Sequence, residues 1–202
     1  MKDLFIIILT FNLDEKLLPP RFLPKVCHKI DGKSMIETCI ENCLKLNPKK
    51  IMLYVSKNNI QFINKLIKHS NYSKVISYYI FDNEFTEKRK LSVGMKCFKD
   101  KNVLVVPGNA PLLSTKTLFR MISENKNIKI KDNLFFLQNS SLHKLDFMNE
   151  HPVTDFMIPE IEMKQIETKG DLDFIEEHIS QRKKKIKKLS FRKQNDKIDN
   201  LL

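Results

Sequence analysis

Residues 4–10, LFIIILT, form an unbroken apolar run with no polar alternation. A strand with one wet face alternates; a run of this kind is buried on both faces, as strands are inside a parallel sheet covered by helices. A second run, VLVV at 103–106, leads into PGNAPLL, a turn carrying Asn109 with Ser114 offered as the next helix cap. Further strands are predicted at 51–55, 75–81 and 134–138, alternating with helices at about 34–46, 58–69, 87–98 and 115–124. Such alternation implies crossover connections and a mostly parallel α/β sheet with helices on both faces. Residues 139–165 read as irregular, followed by a strand near 166.

The chain's 202 residues, 42% of them hydrophobic, suffice for one α/β domain with a real core, predicted over 1–180, with a basic helix end and tail over 181–202. No apolar stretch is long enough to span a membrane, and the start lacks the order of a signal peptide, so a cytoplasmic protein without a membrane partner is expected. In that setting the sequons at Asn71 and Asn139 carry no meaning. Cys27, Cys39, Cys43 and Cys97 have neither C-x-x-C spacing nor a disulfide framework, and Cys39 and Cys43 share an apolar helix face, which reads as core packing. The five histidines are too scattered for a metal site.

The net charge of +12 is concentrated at one end: residues 181–202 hold nine Lys or Arg and two Asp, a net of +7. Leu172, Phe174, Ile175, Ile179, Ile186 and Leu189 recur at helical spacing there, and Thr168 with Asp171 fits a helix cap. The run RKKKIKK reads first as a solvated helix end fading into a disordered tail, because only Phe191 interleaves the bases. Weak polyanion binding is the partner it leaves open.

Residues 23–37, LPKVCHKIDGKSMIE, run from a basic turn into an amphipathic helix whose Ser34 and Glu37 form an S-x-x-E capping box. Lys25 thereby stands beside the first strand. Taken with Gly108, Asn109, Pro111 and Leu112, this stretch resembles the nucleotide-diphospho-sugar transferase family, most closely the uridylyltransferase domain of UDP-N-acetylglucosamine pyrophosphorylases of the bacterial bifunctional type. There the first turn ends in L-P-K-V-L-H, the next helix opens with G-K-P-M, and a later strand ends in G-D-x-P-L. The resemblance covers roughly the first 125 residues and returns near residue 166. It implies a Rossmann-like three-layer α/β/α fold and a reaction of a nucleoside triphosphate with a sugar 1-phosphate, giving a nucleotide sugar and pyrophosphate. The hexapeptide repeats of the bifunctional members are not seen, so any activity is expected to be the transferase half alone.

The resemblance also implies a site. Lys25 matches the family's lysine, with Arg21 as a second catalytic candidate; Leu9, Thr10, Asn12, Lys16, Lys25 and Gly108 are the expected nucleotide-binding residues, and Asn109 and Glu167 the expected Mg²⁺ ligands. The departures are equally specific. The family's glycine loop, L-A-A-G-x-G-T-R-M, is replaced by LTFNLDEKLLPPRF at 9–22, which lacks both glycines and is about two residues longer. Lys16 and Arg21 would supply by charge what glycine amides supply by close approach. Asn109 stands where the family has a metal-binding aspartate, while Glu167 stands where it has an amide, so one amide and one acid are kept with their places exchanged. The family's Q-x-x-x-x-G-T-x-x-A stretch, which reads uridine, has no counterpart in FDNEFTEKRKLSVGMKCF, where Gly94 falls too late. Two readings stand: a divergent Mg²⁺-dependent nucleotidyltransferase, and a catalytically degenerate relative that binds or regulates.

Overall fold

The computed structural model of the chain describes residues 3–10, 23–68, 70–81, 98, 100–124, 126–131, 134–138 and 156–199, with side chains to residue 187. In chain order, β1 (Leu4–Leu9) leads to one 3-10 turn (Lys25–Cys27), a hairpin of β2 (Lys29–Ile30) and β3 (Lys33–Ser34), and α1 (Met35–Leu44). Next come β4 (Lys50–Ser56), α2 (Ile60–Ile67) and β5 (Ile76–Phe81), then β6 (Asn102–Pro107), α3 (Thr115–Ser123), β7 (Ile128–Lys131) and β8 (Leu134–Leu137). The one-turn α4 (Glu160–Met163) and the long α5 (Lys169–Asp199) close the order. The helix expected at 87–98 lies outside the described residues except for Phe98.

The six-stranded sheet has the order β5-β4-β1-β6-β8-β7. β1 pairs parallel with β4 and with β6, and β4 parallel with β5, while β8 runs antiparallel to β6 and to β7. This is the mostly parallel, Rossmann-like sheet that the unalternating apolar runs predict. From β1 the chain builds outward through β4 and β5, then returns to place β6 on the other flank of β1. The crevice between the carboxyl ends of β1 and β6 is therefore the switch point, where ligands sit in open α/β sheets.

The two sheet faces are separately packed. Ile6, Ile8, Leu53, Val55, Leu104 and Val106 face α1, α2 and α3, while Ile7, Leu9, Tyr54, Val103, Val105 and Phe135 face the other side with Phe98. Burial on both faces is what makes β1 wholly apolar; each fully buried Ile or Leu contributes about 1.5–3 kcal/mol. A third cluster ties α5 to the body, with Leu172 and Ile175 against Ile30, Met35 and Ile166.

Three features depart from the sequence reading. β7 falls in Ile128–Lys131, where IKIK among polar neighbours carries too few apolar residues to announce a strand; it is held by antiparallel pairing to β8. Residues 164–167 are not a strand: this extended segment is fastened to Asn109 instead of joining the sheet. And α5 continues past the expected basic helix end as far as Asp199, into the stretch expected to fade into a tail, because Lys, Arg, Gln and Leu are good helix formers and no Gly or Pro interrupts them after Gly170. Phe174 and Ile186 of its apolar series are exposed, while Leu172, Ile175 and Ile179 pack into the apolar cluster with Ile30, Met35 and Ile166.

Candidate functional site

Lys25 is fixed by its backbone before its side chain does anything. Pro24 stands at the head of the 3-10 turn, Cys27 N–H donates to Pro24 O (2.9 Å) and His28 N–H to Lys25 O (3.0 Å), and the Met35 N–H returns to His28 O (3.1 Å). Between these points the hairpin reverses at Asp31 and Gly32, both at positive φ, as a two-residue Asp-Gly turn requires. Ser34 and Glu37 then close the predicted capping box on α1. The turn is buried: burial followed by the charge of Glu37 pushes the Cys27 thiol up to about 12, and burial lowers the His28 imidazole against the opposing effect of its hydrogen bond to the Leu23 backbone.

Gly108 sets how closely this turn approaches β6. A Cβ there would stand 3.0 Å from Leu9 O, 3.3 Å from Val26 Cγ1 and 3.4 Å from Ile36 Cδ1. Its N–H donates to Leu9 O at 2.9 Å, locking the ends of β6 and β1 together. The glycine is thus required for space, not for a left-handed backbone.

Three predicted residues meet at this junction. Lys25, 1% exposed, brings Nζ to 3.3 Å from Glu167 Oε2, and Asn109, 2% exposed, donates from Nδ2 to Glu167 Oε1 at 3.0 Å. Asn109 also donates from Nδ2 to Ile166 O at 3.3 Å, and its own carbonyl accepts from Ile166 N–H at 3.0 Å. Sequence reasoning placed Glu167 at the site but missed this clamp, which consists largely of backbone atoms and so leaves no residue-type signature.

The first turn of α5 holds Glu167 from the other side. One Asp171 oxygen, Oδ2, accepts from the N–H groups of Glu167 (3.1 Å) and Thr168 (2.9 Å) and from the Thr168 hydroxyl, while Asp171 N–H donates back to Thr168 Oγ1 (3.2 Å). Lys164 pairs with Oδ1 of the same carboxylate, and that ammonium, aided by the Thr168 and Glu167 donors, holds Asp171 well below the usual carboxylate range. The cap was legible as T-x-x-D; Lys164 was not.

The remaining predicted groups are turned inward or lie elsewhere. Thr10 donates to Tyr54 O from both its hydroxyl (2.7 Å) and its N–H (3.1 Å), and Leu9 O is taken by Gly108. These residues build the floor of the crevice. Asn12, Lys16 and Arg21 lie outside the described residues.

No family model matches the chain. Among curated proteins it is similar to the bifunctional protein GlmU of Clostridium botulinum (strain Kyoto / Type A2), 28% identical over 98 residues, 48% of this chain and 20% of that protein. A probable UDP-N-acetylglucosamine pyrophosphorylase of Acanthamoeba polyphaga mimivirus is 29% identical over 105 residues, 48% of this chain and 38% of the relative. The chain thus matches well under half the length of either. Among solved structures, 4-diphosphocytidyl-2C-methyl-D-erythritol synthase from Anaerococcus prevotii superposes with a TM-score of 0.60 at 15% identity, over 89% of this chain and 96% of that one, a likeness of fold. The chain resembles the nucleotide-diphospho-sugar transferase family, in sequence over about half its length and in fold.

The resemblance implies a divalent cation, and the donor set here can be judged for one. Each Glu167 oxygen carries one hydrogen bond where a carboxylate has room for more, and 52% of its side chain is exposed, so the group fits a hard cation approaching from solvent. Asn109 has its nitrogen on Glu167 and Ile166, which leaves Oδ1 as the atom it offers. Among the described residues there is no cluster of three His, Cys, Asp or Glu side chains, and a Mg²⁺ ion ordinarily completes its shell with water and substrate oxygens. Among the same residues no helix is long and apolar enough to cross a membrane.

Proposed function

We propose that this chain is a sugar-phosphate nucleotidyltransferase that joins a nucleoside triphosphate to a sugar 1-phosphate, releasing pyrophosphate. The observation that carries the reading is the meeting of a buried cation, Lys25, with an amide and an acid, Asn109 and Glu167, at the switch point of a parallel sheet. The reaction needs charge neutralisation more than covalent help: a sugar phosphate oxygen attacks the α-phosphorus, the α–β anhydride bond breaks, and pyrophosphate leaves with the electron pair. Lys25 would hold negative phosphate oxygens as that charge develops, its hydrogen-bonded turn keeping the ammonium fixed. Glu167 and Asn109 Oδ1 would hold Mg²⁺, which would supply neutralisation of phosphate charge. Leu9, Thr10 and Gly108 form the floor under the nucleotide, and Lys16, Arg21 and Asn12, on the loop that follows β1, are assigned to its phosphates. UTP and N-acetylglucosamine 1-phosphate are the first substrates to try, because the mimivirus relative is named a probable UDP-N-acetylglucosamine pyrophosphorylase.

The alternative, a degenerate member that binds a nucleotide without turning it over, is favoured by one observation: the Thr10 hydroxyl and N–H and the Gly108 N–H are all spent inside the protein. A panel of nucleoside triphosphates and sugar 1-phosphates with Mg²⁺, read by pyrophosphate release, separates the two. Turnover lost in Lys25→Ala and in Glu167→Ala supports the enzyme. Silence across the panel, with nucleotide binding retained in a thermal-shift assay, selects the alternative.

A further inference from the structure

Lys25 and Glu167 form an ion pair with unequal ends. The ammonium is enclosed at 1% exposure, whereas 52% of the glutamate side chain remains open, and the two approach at 3.3 Å through Oε2. On the reading proposed above, on which this inference rests, the same two groups attract different ligands: polyphosphate comes to the ammonium and a divalent cation to the carboxylate.

We propose that the Lys25–Glu167 pair is a latch that couples the two ligands, so that a divalent cation and a polyphosphate anion bind this site with positive cooperativity and each binds weakly alone. A polyphosphate arriving without metal meets the Glu167 charge on the very ammonium it seeks. A cation arriving without phosphate meets the Lys25 charge on the carboxylate it seeks. Arriving together, the cation takes over the carboxylate and the anion takes over the ammonium, and the work of separating the pair is done once for both. Linkage makes the effect reciprocal, and coupled sites of this kind shift each other's affinity by roughly 5–150-fold.

The neighbours make the latch local. Asn109 Nδ2 keeps Oε1, and Asp171 keeps the Glu167 N–H, so the contact that opens is the one at Oε2, while Ile166 stays clamped to Asn109. Opening therefore requires no movement of α5, whose first turns are fixed by Leu172 and Ile175.

The test is calorimetric titration of the full chain with inorganic tripolyphosphate, in EDTA and in saturating Mg²⁺, alongside Mn²⁺ binding followed by the electron paramagnetic resonance of the free ion. The wild-type chain should bind the anion at least about fivefold more tightly with metal than without. Glu167→Gln keeps the side chain's size and its acceptor for Asn109 but removes the charge. It should bind the metal-free anion more tightly than wild type and lose most of the Mg²⁺ enhancement. Lys25→Met should bind Mn²⁺ more tightly than wild type in the absence of anion; because Lys25 is buried, Glu167→Gln carries the test if that variant does not fold. The latch is overturned by Glu167→Gln with unchanged or weaker metal-free affinity, by a full Mg²⁺ enhancement in that variant, or by a wild-type chain that binds neither probe. Cooperative binding without nucleotide-sugar formation would leave the latch standing and remove the transferase reading. Nucleotide-sugar formation with an unaltered Glu167→Gln titration would do the reverse.

Discussion

Asn109 holds Ile166 by both of its backbone polar groups, receiving the Ile166 N–H on its backbone carbonyl at 3.0 Å and giving its side-chain Nδ2 to the Ile166 carbonyl at 3.3 Å. The same nitrogen reaches Glu167 Oε1 at 3.0 Å, so one amide fixes both the segment and the carboxylate that the segment delivers to Lys25. An amide suits this position because two acceptors face it. A carboxylate would set oxygen against oxygen.

Asn109→Asp should therefore destabilise the chain although it installs the acid usual in the family. An acceptor left facing acceptors in a buried place costs about 1–3 kcal/mol, and the second negative charge beside Glu167 acts in the same direction. Combining it with Glu167→Gln should recover part of the loss, because the introduced amide donates where the glutamate only accepts. Urea unfolding of both single variants and the double variant measures the coupling, expected at about 0.5–3 kcal/mol. Strict additivity would refute the exchange of acid and amide between these positions.

Gly108→Ala should lower stability by about 1–3 kcal/mol, the usual range for overpacking a filled site. The nearest obstacle is backbone, Leu9 O at 3.0 Å from the added carbon, and backbone locked between two strands has nowhere to go. Gly32→Ala is the control with the opposite cause: nothing lies within 4 Å of its Cβ, and the penalty comes from φ +84 alone. Thermal melts should show a decrease for both, but only Gly108→Ala should weaken tripolyphosphate binding, since it displaces the Lys25 turn through Val26.

Much of the fold could be read from β1 itself, because a strand buried on both faces must be apolar throughout and few architectures provide that setting. The Ser34–Glu37 box and the Ser114 cap were equally legible, since local hydrogen bonding dictates their residue types. The hairpin end of the sheet was harder. β7 owes its place to pairing with β8, a long-range partner that a polar segment does not announce. Within the site, Lys25 was picked out by motif and Asn109 and Glu167 as an exchanged pair of ligands, but their geometry around Lys25 depends on Gly108 packing and on the Asn109–Ile166 clamp, which join residues far apart in sequence.

Asp171 makes part of the chain's stability sensitive to acid. Its folded pKa lies below the ordinary 3.8, chiefly through Lys164, so the folded chain gains from the ionised form. That gain is fully present above the unfolded value and is lost as pH falls through the folded one. Asp171→Ala should cost about 0.5–2 kcal/mol near neutrality, as loss of a helix cap does, and the gap from wild type should narrow below about pH 4. His28, lowered by burial, adds its own acid sensitivity, but equally to both proteins. Urea midpoints from pH 7 down to pH 3 give the difference; a gap independent of pH would contradict the assignment.

Cys27 sits in the same turn as Lys25, next to the proposed phosphate site, yet should be chemically silent. A thiolate is the reactive form, and a thiol pushed up to about 12 is almost wholly protonated at pH 8. Cys39 and Cys43 are buried on α1, where the hydrogen bond with Cys39, followed by burial, also raises Cys43. All three should resist iodoacetamide in the native chain and label promptly in urea. Labelling sites mapped by peptide mass spectrometry would show whether the turn opens: rapid native alkylation of Cys27, with Cys39 and Cys43 protected, would mean that residues 25–27 leave the body, and a Lys25 carried on such a turn could not serve as a fixed cation.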